Sequence, residues 1–391
     1  MRRLNTFLLV LVFVSASYAQ QTEPLTSAKD SFSGVQDTEV IEPELKPLAI
    51  DERPDQRSIA AVMAVKEGNS LWQKEKFRNA ATSYQQAIDL DAELYAAQYN
   101  LGAAHLRLQQ YSDAVDAFKR AISLKPGCAQ AWQGLGLTQY YQRQYQLAVK
   151  ALKTAQQLAP TDARFSNNLG FAYLFADNLN DAIAAFKTTL ELDPGFITAN
   201  SGLCGAYALS SRPNEAIAAC EIAIRTNAAS AVPKYFLGYT YLDLDETEKS
   251  IAAFEQARRL EPRTGRIWVG LGFAYLKEKK YDRALHHFER AKELDPKSAD
   301  VFAGMGAAYA QMKKFDLAEA ALREALTRDP DNPVNHFNLA IVCLQRRDRE
   351  CAMTQYNYLK LNSDQLAKSL FTKMYGDKVV DVTAFGNKPR P

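Results

Sequence analysis

The run His286–Pro296 reads HHFERAKELDP, and its first residues look the most reactive in the chain. Two adjacent histidines followed by Glu289 suggest a metal site or an acid–base pair. Helical geometry weighs against a shared metal. Neighbours on a helix point roughly 100° apart, whereas two ligands on one helix sit best at i and i+4. The remaining histidines, His105 and His336, are distant in sequence. The sequence holds no GxxxxGK[ST] loop, no GxGxxG and no GxSxG elbow. The expectation is therefore no catalytic residue, no metal ligand, no cofactor and no enzyme. The other reactive side chains are Cys128, Cys204, Cys220, Cys343 and Cys351, whose pairing depends on the elements that carry them.

The chain has 391 residues, 47% hydrophobic and 24% charged, with a net charge of +2. That balance describes a folded protein, and without a dense Lys/Arg run it predicts no nucleic-acid partner. Residues 1–19 read as a signal peptide. Arg2 and Arg3 precede an apolar core from Phe7 to Val14, and Ser17 and Ala19 set a cleavage site after Ala19. The apolar run is shorter than the roughly 20 residues a membrane helix needs. The mature chain is thus expected to be periplasmic or secreted, without an integral membrane segment. Residues 20–60 are acidic and broken by Pro24, Pro43, Pro47 and Pro54, which predicts a flexible linker. The alternative is that this segment folds back into the rest of the protein.

The main signal is internal repetition. Gly68, Gly102, Gly136 and Gly170 are spaced by 34 residues, and Cys204, Gly238, Gly272, Gly306 and Ala340 continue the series. Ala80, Ala114, Ala148, Ala182, Ala216, Ser250, Ala284, Ala318 and Ala352 form a second series twelve residues later. Small residues at fixed spacing let helix backbones approach, with large residues such as Leu101, Leu135, Tyr84 and Phe118 filling the space beside them. Prolines at 126, 160, 194, 262, 296 and 330 punctuate the units.

This pattern resembles the tetratricopeptide repeat family. In the seventh unit, Trp268, Leu271, Gly272, Tyr275, Ala284, Phe288, Ala291 and Pro296 occupy the family's signature slots. The resemblance implies an all-α, right-handed superhelical solenoid. About nine tandem 34-residue helix-turn-helix repeats span 61–366, starting near 61, 95, 129, 163, 197, 231, 265, 299 and 333. A capping helix at 363–376 carries Leu366, Leu370 and Met374 on one stripe, and 377–391 is a loose tail. Units five and nine depart most from the pattern, with Cys204 for Gly and Ala228 for Pro in one, and Ala340, Leu359 and Asp364 in the other.

On this frame His286 and His287 fall on a second helix, at slots that read as its tolerant outer face. Cys343 faces Cys351 across the turn of unit nine, and Cys204 faces Cys220 within unit five. Both pairs are candidate disulfides, with Cys128 left over.

The resemblance also assigns ligand binding to the concave face, lined by first helices. At the sixth slot stand Lys66, Asn100, Asn168 and Asn338, interrupted by Gly134, Gly202, Gly270 and Gly304. An asparagine amide can pair with both the donor and the acceptor of an extended peptide. Asn69 and Asn100 also match two positions of a clamp that, in the family, holds a peptide's terminal carboxylate, although its lysine slot is Val65 here. Tyr99, Phe171, Tyr235, Tyr239 and Phe273 supply aromatics, and Arg107, Arg164, Arg266 and Lys277 supply positive charge. The resulting expectation is an exported protein–protein interaction scaffold or adaptor. It would bind a peptide or protein segment in its groove, in cell-envelope assembly or secretion. The competing expectation is an envelope glycan-binding module that uses the groove aromatics. The acidic linker 20–60 could itself occupy the groove, and composition and pattern leave homo-oligomerisation unknown.

Overall fold

The computed structural model describes residues 45–48 and 59–375. The expected signal peptide, most of the 20–60 linker and the tail 377–391 lie outside these residues. Within them, every regular element is an α-helix. The chain divides into two compact bodies at Pro233/Lys234.

The first body contains five helix pairs. They are α1 (Ile59–Gln73) with α2 (Phe77–Leu90), α3 (Tyr95–Arg107) with α4 (Tyr111–Leu124), α5 (Ala129–Tyr141) with α6 (Tyr145–Leu158), α7 (Ala163–Phe175) with α8 (Leu179–Leu192), and α9 (Ile197–Leu209) with α10 (Pro213–Thr226). Each helix packs on the next.

The second body takes up α11 (Val232–Asp243) from Lys234 onward. It continues with α12 (Thr247–Leu260), α13 (Gly265–Lys277), α14 (Tyr281–Leu294), α15 (Ala299–Gln311), α16 (Phe315–Arg328), α17 (Pro333–Gln345), α18 (Arg349–Asn362) and α19 (Asp364–Tyr375). Leu370 and Ala367 of α19 are buried with Phe337 and Ile341 of α17 and Leu359 of α18. The last helix thereby covers an apolar face that no further repeat would hide.

The turn inside each pair is closed by one left-handed residue. Glu75, Gln109, Arg143, Asp177, Ser211, Asp245, Lys279, Lys313 and Arg347 all carry positive φ, from 54 to 67°. Around Gln109, the Gln110 N–H bonds His105 O and the Gln109 N–H bonds Leu106 O. This is the Schellman arrangement, which satisfies the last carbonyls of the first helix.

The glycines explain how pairs stack. A Cβ on Gly102 would lie 2.9 Å from the Phe118 ring, and one on Gly134, in the next unit, 2.3 Å from the same ring. Phe118 is thus held between two bare backbones. The same arrangement recurs for Phe186 with Gly170 and Gly202, for Phe254 with Gly238 and Gly270, and for Phe288 with Gly272 and Gly304. Where the ring is replaced by Leu152 or Leu322, the following unit carries Asn168 or Asn338 in place of glycine. The sixth-slot glycines therefore make room for a phenyl ring.

In unit five the glycine and ring positions are Cys204 and Cys220, and a disulfide joins them with Cα atoms 4.7 Å apart. A covalent link there replaces ring-on-glycine packing. A second disulfide joins Cys343 of α17 to Cys351 of α18, with Cα atoms 5.9 Å apart. Both separations suit the bond. Cys128 is a buried free thiol.

Candidate peptide-binding site

In the first body, the segment Leu45–Leu48 lies against α1 and α3, where two side chains engage its backbone and a third orients one of them. Asn100 Oδ1 accepts the Leu48 N–H at 2.7 Å, and Asn100 Nδ2 donates to Leu48 O at 3.2 Å. Asn69 Nδ2 donates to the same carbonyl at 3.3 Å. The second Asn100 amide hydrogen goes to Asn69 Oδ1 at 3.1 Å, and that oxygen also accepts the Tyr84 hydroxyl at 2.8 Å. The donors and acceptors in the set are mutually consistent, which fixes the orientation of both amides. Burial pushes the Tyr84 phenol well above its usual range, so it remains protonated and able to donate.

The elements position these groups in register. Asn69 sits one residue past Gly68, over which the Tyr84 ring packs, so the hydroxyl reaches the amide. Asn100 follows Tyr99, whose ring is buried against Phe118. Asn100 is 0% exposed and Leu45 3%. Residues 45–48, expected to belong to a flexible linker, are thus held by side-chain hydrogen bonds and one buried apolar anchor. What is held is a neutral peptide group within the chain, not a terminal carboxylate. Val65, where the carboxylate clamp has lysine, is buried in the core beside Ala64 and Tyr84.

The other residues singled out in the sequence meet different fates. Lys66 is exposed. Arg107 lies over the Phe77 ring, with 4.9 Å to its centroid. Arg164 pairs with Asp162 at 2.6 Å, and this hydrogen-bonded pair lowers the Asp162 carboxyl below its usual range. Asn168 is buried. Asn338 is 3% exposed, and neither of its amide atoms has a hydrogen-bond partner. It is sealed in the packing and does not repeat the Asn100 arrangement.

The groove aromatics require a correction. Phe171 packs edge-on against Phe186 at 4.8 Å, Tyr239 against Tyr235 and Phe254 at 4.9 Å each, and Phe273 against Phe288 at 5.2 Å. All are buried, so the rings serve the packing of repeats and are not open to stack on a sugar ring. Arg266 lies 5.9 Å from the Tyr235 ring centroid. Lys277 pairs with Asp245 and donates to Leu242 O. Nearby, burial pushes the Asp243 carboxyl up to about 7, offset in part by Lys277.

The two adjacent histidines also differ from expectation. His286 is exposed, but His287 is half-buried and stacks on Tyr275 at 5.0 Å with planes 3° apart. The Trp268 ring centroid lies 5.6 Å away, with its plane tilted by 37°. Burial, aided by His286, lowers the His287 ring to about 4, so it is neutral and acts as a packed aromatic. Its ring and that of His286 are tilted 69° apart.

Sequence reasoning missed Tyr84. The available signal was a tyrosine in a column filled elsewhere by Phe118, Phe186, Phe254 and Phe288.

Tetratricopeptide repeat family models match residues 65–129, 104–163 and 134–195, residues 233–264, and residues 265–298 and 299–332. Together these spans cover more than half of the chain. Unit five and unit nine, the two with disulfides, fall outside them. No curated protein matches the sequence. Among solved structures, the anaphase-promoting-complex hetero-tetramer Cut9-Hcn1 is similar at 16% identity and a TM-score of 0.57. That match covers 85% of this chain and 79% of the other. A tetratricopeptide repeat protein from Parabacteroides merdae is similar at 15% identity and a TM-score of 0.54, covering 64% of this chain and 98% of that one. At these identities the likeness shows the fold alone.

Proposed function

The chain belongs to the tetratricopeptide repeat family, whose repeats are protein-interaction scaffolds, and from that premise we propose that it binds an extended peptide segment of a partner protein through Asn69 and Asn100. The observation that carries this reading is the two-point hold of Asn100 on the Leu48 backbone. An amide that offers one acceptor and one donor to a single residue reads main chain, not side chain. It suits an extended segment, whose N–H and C=O are free, and not a helix, whose groups are already paired. Charge contributes little at the clamp itself, because the groups that touch Leu48 are neutral.

Export through the predicted signal peptide, to the periplasm or beyond, is part of this proposal. The two disulfides support an oxidising compartment. No helix among the described residues is long and apolar enough to cross a membrane. The glycan-binding alternative has no support from the buried, edge-packed rings of Tyr239 and Phe273. A role in envelope assembly or secretion would follow from the identity of the bound partner.

The test uses the full chain with a photo-crosslinking residue in place of Lys66, expressed in its source cells, with cross-linked peptides mapped by mass spectrometry. The reading expects a segment of another protein attached at this position, and its loss when Asn100→Leu is added. Cross-links confined to the chain itself, or partners retained in the Asn100→Leu protein, would contradict it.

A further inference from the structure

Resting on the peptide-binding reading above, we infer that Leu45–Leu48 is an internal stand-in for the partner's segment. The clamp then selects extended peptides of the form apolar–any–proline–apolar and stays closed to them until the chain's own copy is displaced. Two observations define that class, and a third sets the competition.

The clamped residue is Leu48, and the residue before it is Pro47. Proline has no N–H and its φ is fixed, while the residue preceding it is biased to extended backbone. A proline at this position thus pre-orders the backbone leading into the clamped residue, which reduces the entropy lost on binding. The clamped residue itself cannot be proline, because Asn100 Oδ1 takes its N–H.

Leu45 is buried whereas Lys46 is exposed. The site therefore demands an apolar side chain three residues before the clamped one and is indifferent to the next. Neither demand is electrostatic, so binding should depend weakly on salt.

The third observation is the covalent connection. Only residues 49–58 separate Leu48 from the start of α1. A tether of that length holds its ligand at an effective concentration of about millimolar. A free peptide of the same sequence at micromolar concentration is then outcompeted by the copy in cis. A partner succeeds if it binds the clamp more tightly, or if it gains a second contact elsewhere on the scaffold.

Fluorescence anisotropy with a labelled synthetic peptide, PELKPLAIDE (residues 43–52), tests this on the full chain. The release variant carries Leu45→Asp and Leu48→Pro, which remove the anchor and the donated N–H. It is expected to bind the peptide at least ~10-fold more tightly than the unaltered chain. Adding Asn100→Leu should cost the release variant at least ~10-fold, and Pro47→Ala in the peptide about 3-fold. Equal affinity of the unaltered and release chains would overturn the internal competition. Binding indifferent to Asn100→Leu would overturn the site. Failure of this peptide on the release variant, with Asn100-dependent cross-linking from position 66 still observed, would reject the proposed ligand class and leave the peptide-binding reading standing.

Discussion

Asn100 holds Leu48 by both of its backbone groups, accepting the N–H at 2.7 Å and donating to the carbonyl at 3.2 Å. This pairing spans 52 residues of sequence. It turns a side chain in the repeat array into a reader of main chain. Its geometry depends on neighbours, and the predictions below begin with the one that orients it.

Tyr84→Phe keeps the ring over Gly68 and deletes the hydroxyl that fixes Asn69. The Asn69 amide can then rotate, which weakens two of the bonds around Leu48. We expect peptide affinity in the release variant to fall about 3- to 10-fold, and stability to change by no more than ~1 kcal/mol. Anisotropy and urea denaturation measure the two effects separately. An unchanged affinity would remove Tyr84 from the clamp.

Gly134→Ala should destabilise the first body, because the new methyl would sit 2.3 Å from the Phe118 ring. The expected loss is about 1–3 kcal/mol. Combining it with Phe118→Leu should recover part of that loss, because natural units with leucine in the ring slot tolerate asparagine in the glycine slot. A double-mutant cycle in urea reads the coupling. Strict additivity would mean that ring volume does not decide the sixth slot.

Lys313 occupies a left-handed turn position with φ of 60°. Glycine tolerates that conformation without the penalty a Cβ brings. Lys313→Gly should therefore stabilise the second body by about 0.5–1 kcal/mol, seen as a rise in midpoint denaturant concentration at constant slope. A decrease would show that the lysine side chain makes a contact of greater value than the relieved strain.

Asp243 gives the fold a pH dependence of definite sign. Burial raises its carboxyl from an ordinary 3.8 to about 7 in the folded chain. Between those values the folded state binds the proton more tightly than the unfolded state does. Stability from this group is full below about pH 3.8 and is lost as pH rises through about 7. Asp243→Asn should raise Tm by a few degrees at pH 8 and by much less at pH 5. An equal shift at both pH values would mean that the carboxyl is ionised throughout.

The repeat was legible because packing writes it in residue size. Only small side chains fit beside Phe118 or Phe288, so their spacing survives in the sequence. The turns were not legible in the same way. Their left-handed residues range from Glu75 to Lys279 to Ser211, with no shared chemistry, because hydrogen bonds from the flanking backbone define the turn. Asn69 and Asn100 could be picked out by slot. The linker could be named as a possible occupant, but not which of its residues is held, because the bound groups belong to the backbone of Leu48 and leave no side-chain signature. The aromatics were over-read for a related reason: periodicity tells which side of a helix a ring leaves from, but not that packing against Phe254 or Phe288 will bury it. His287 was under-read, since its stacking on Tyr275 depends on a partner in another helix.

The most direct measurement is amide hydrogen exchange at Leu48 in the full-length protein, compared with the Asn100→Leu variant. A residue whose N–H is bonded to a buried amide exchanges slowly, whereas one in a free tether exchanges at the rate of an unstructured chain. The account predicts exchange at Leu48 at least ~10-fold slower in the unaltered chain than in Asn100→Leu. Exchange at the unprotected rate in both proteins would contradict it.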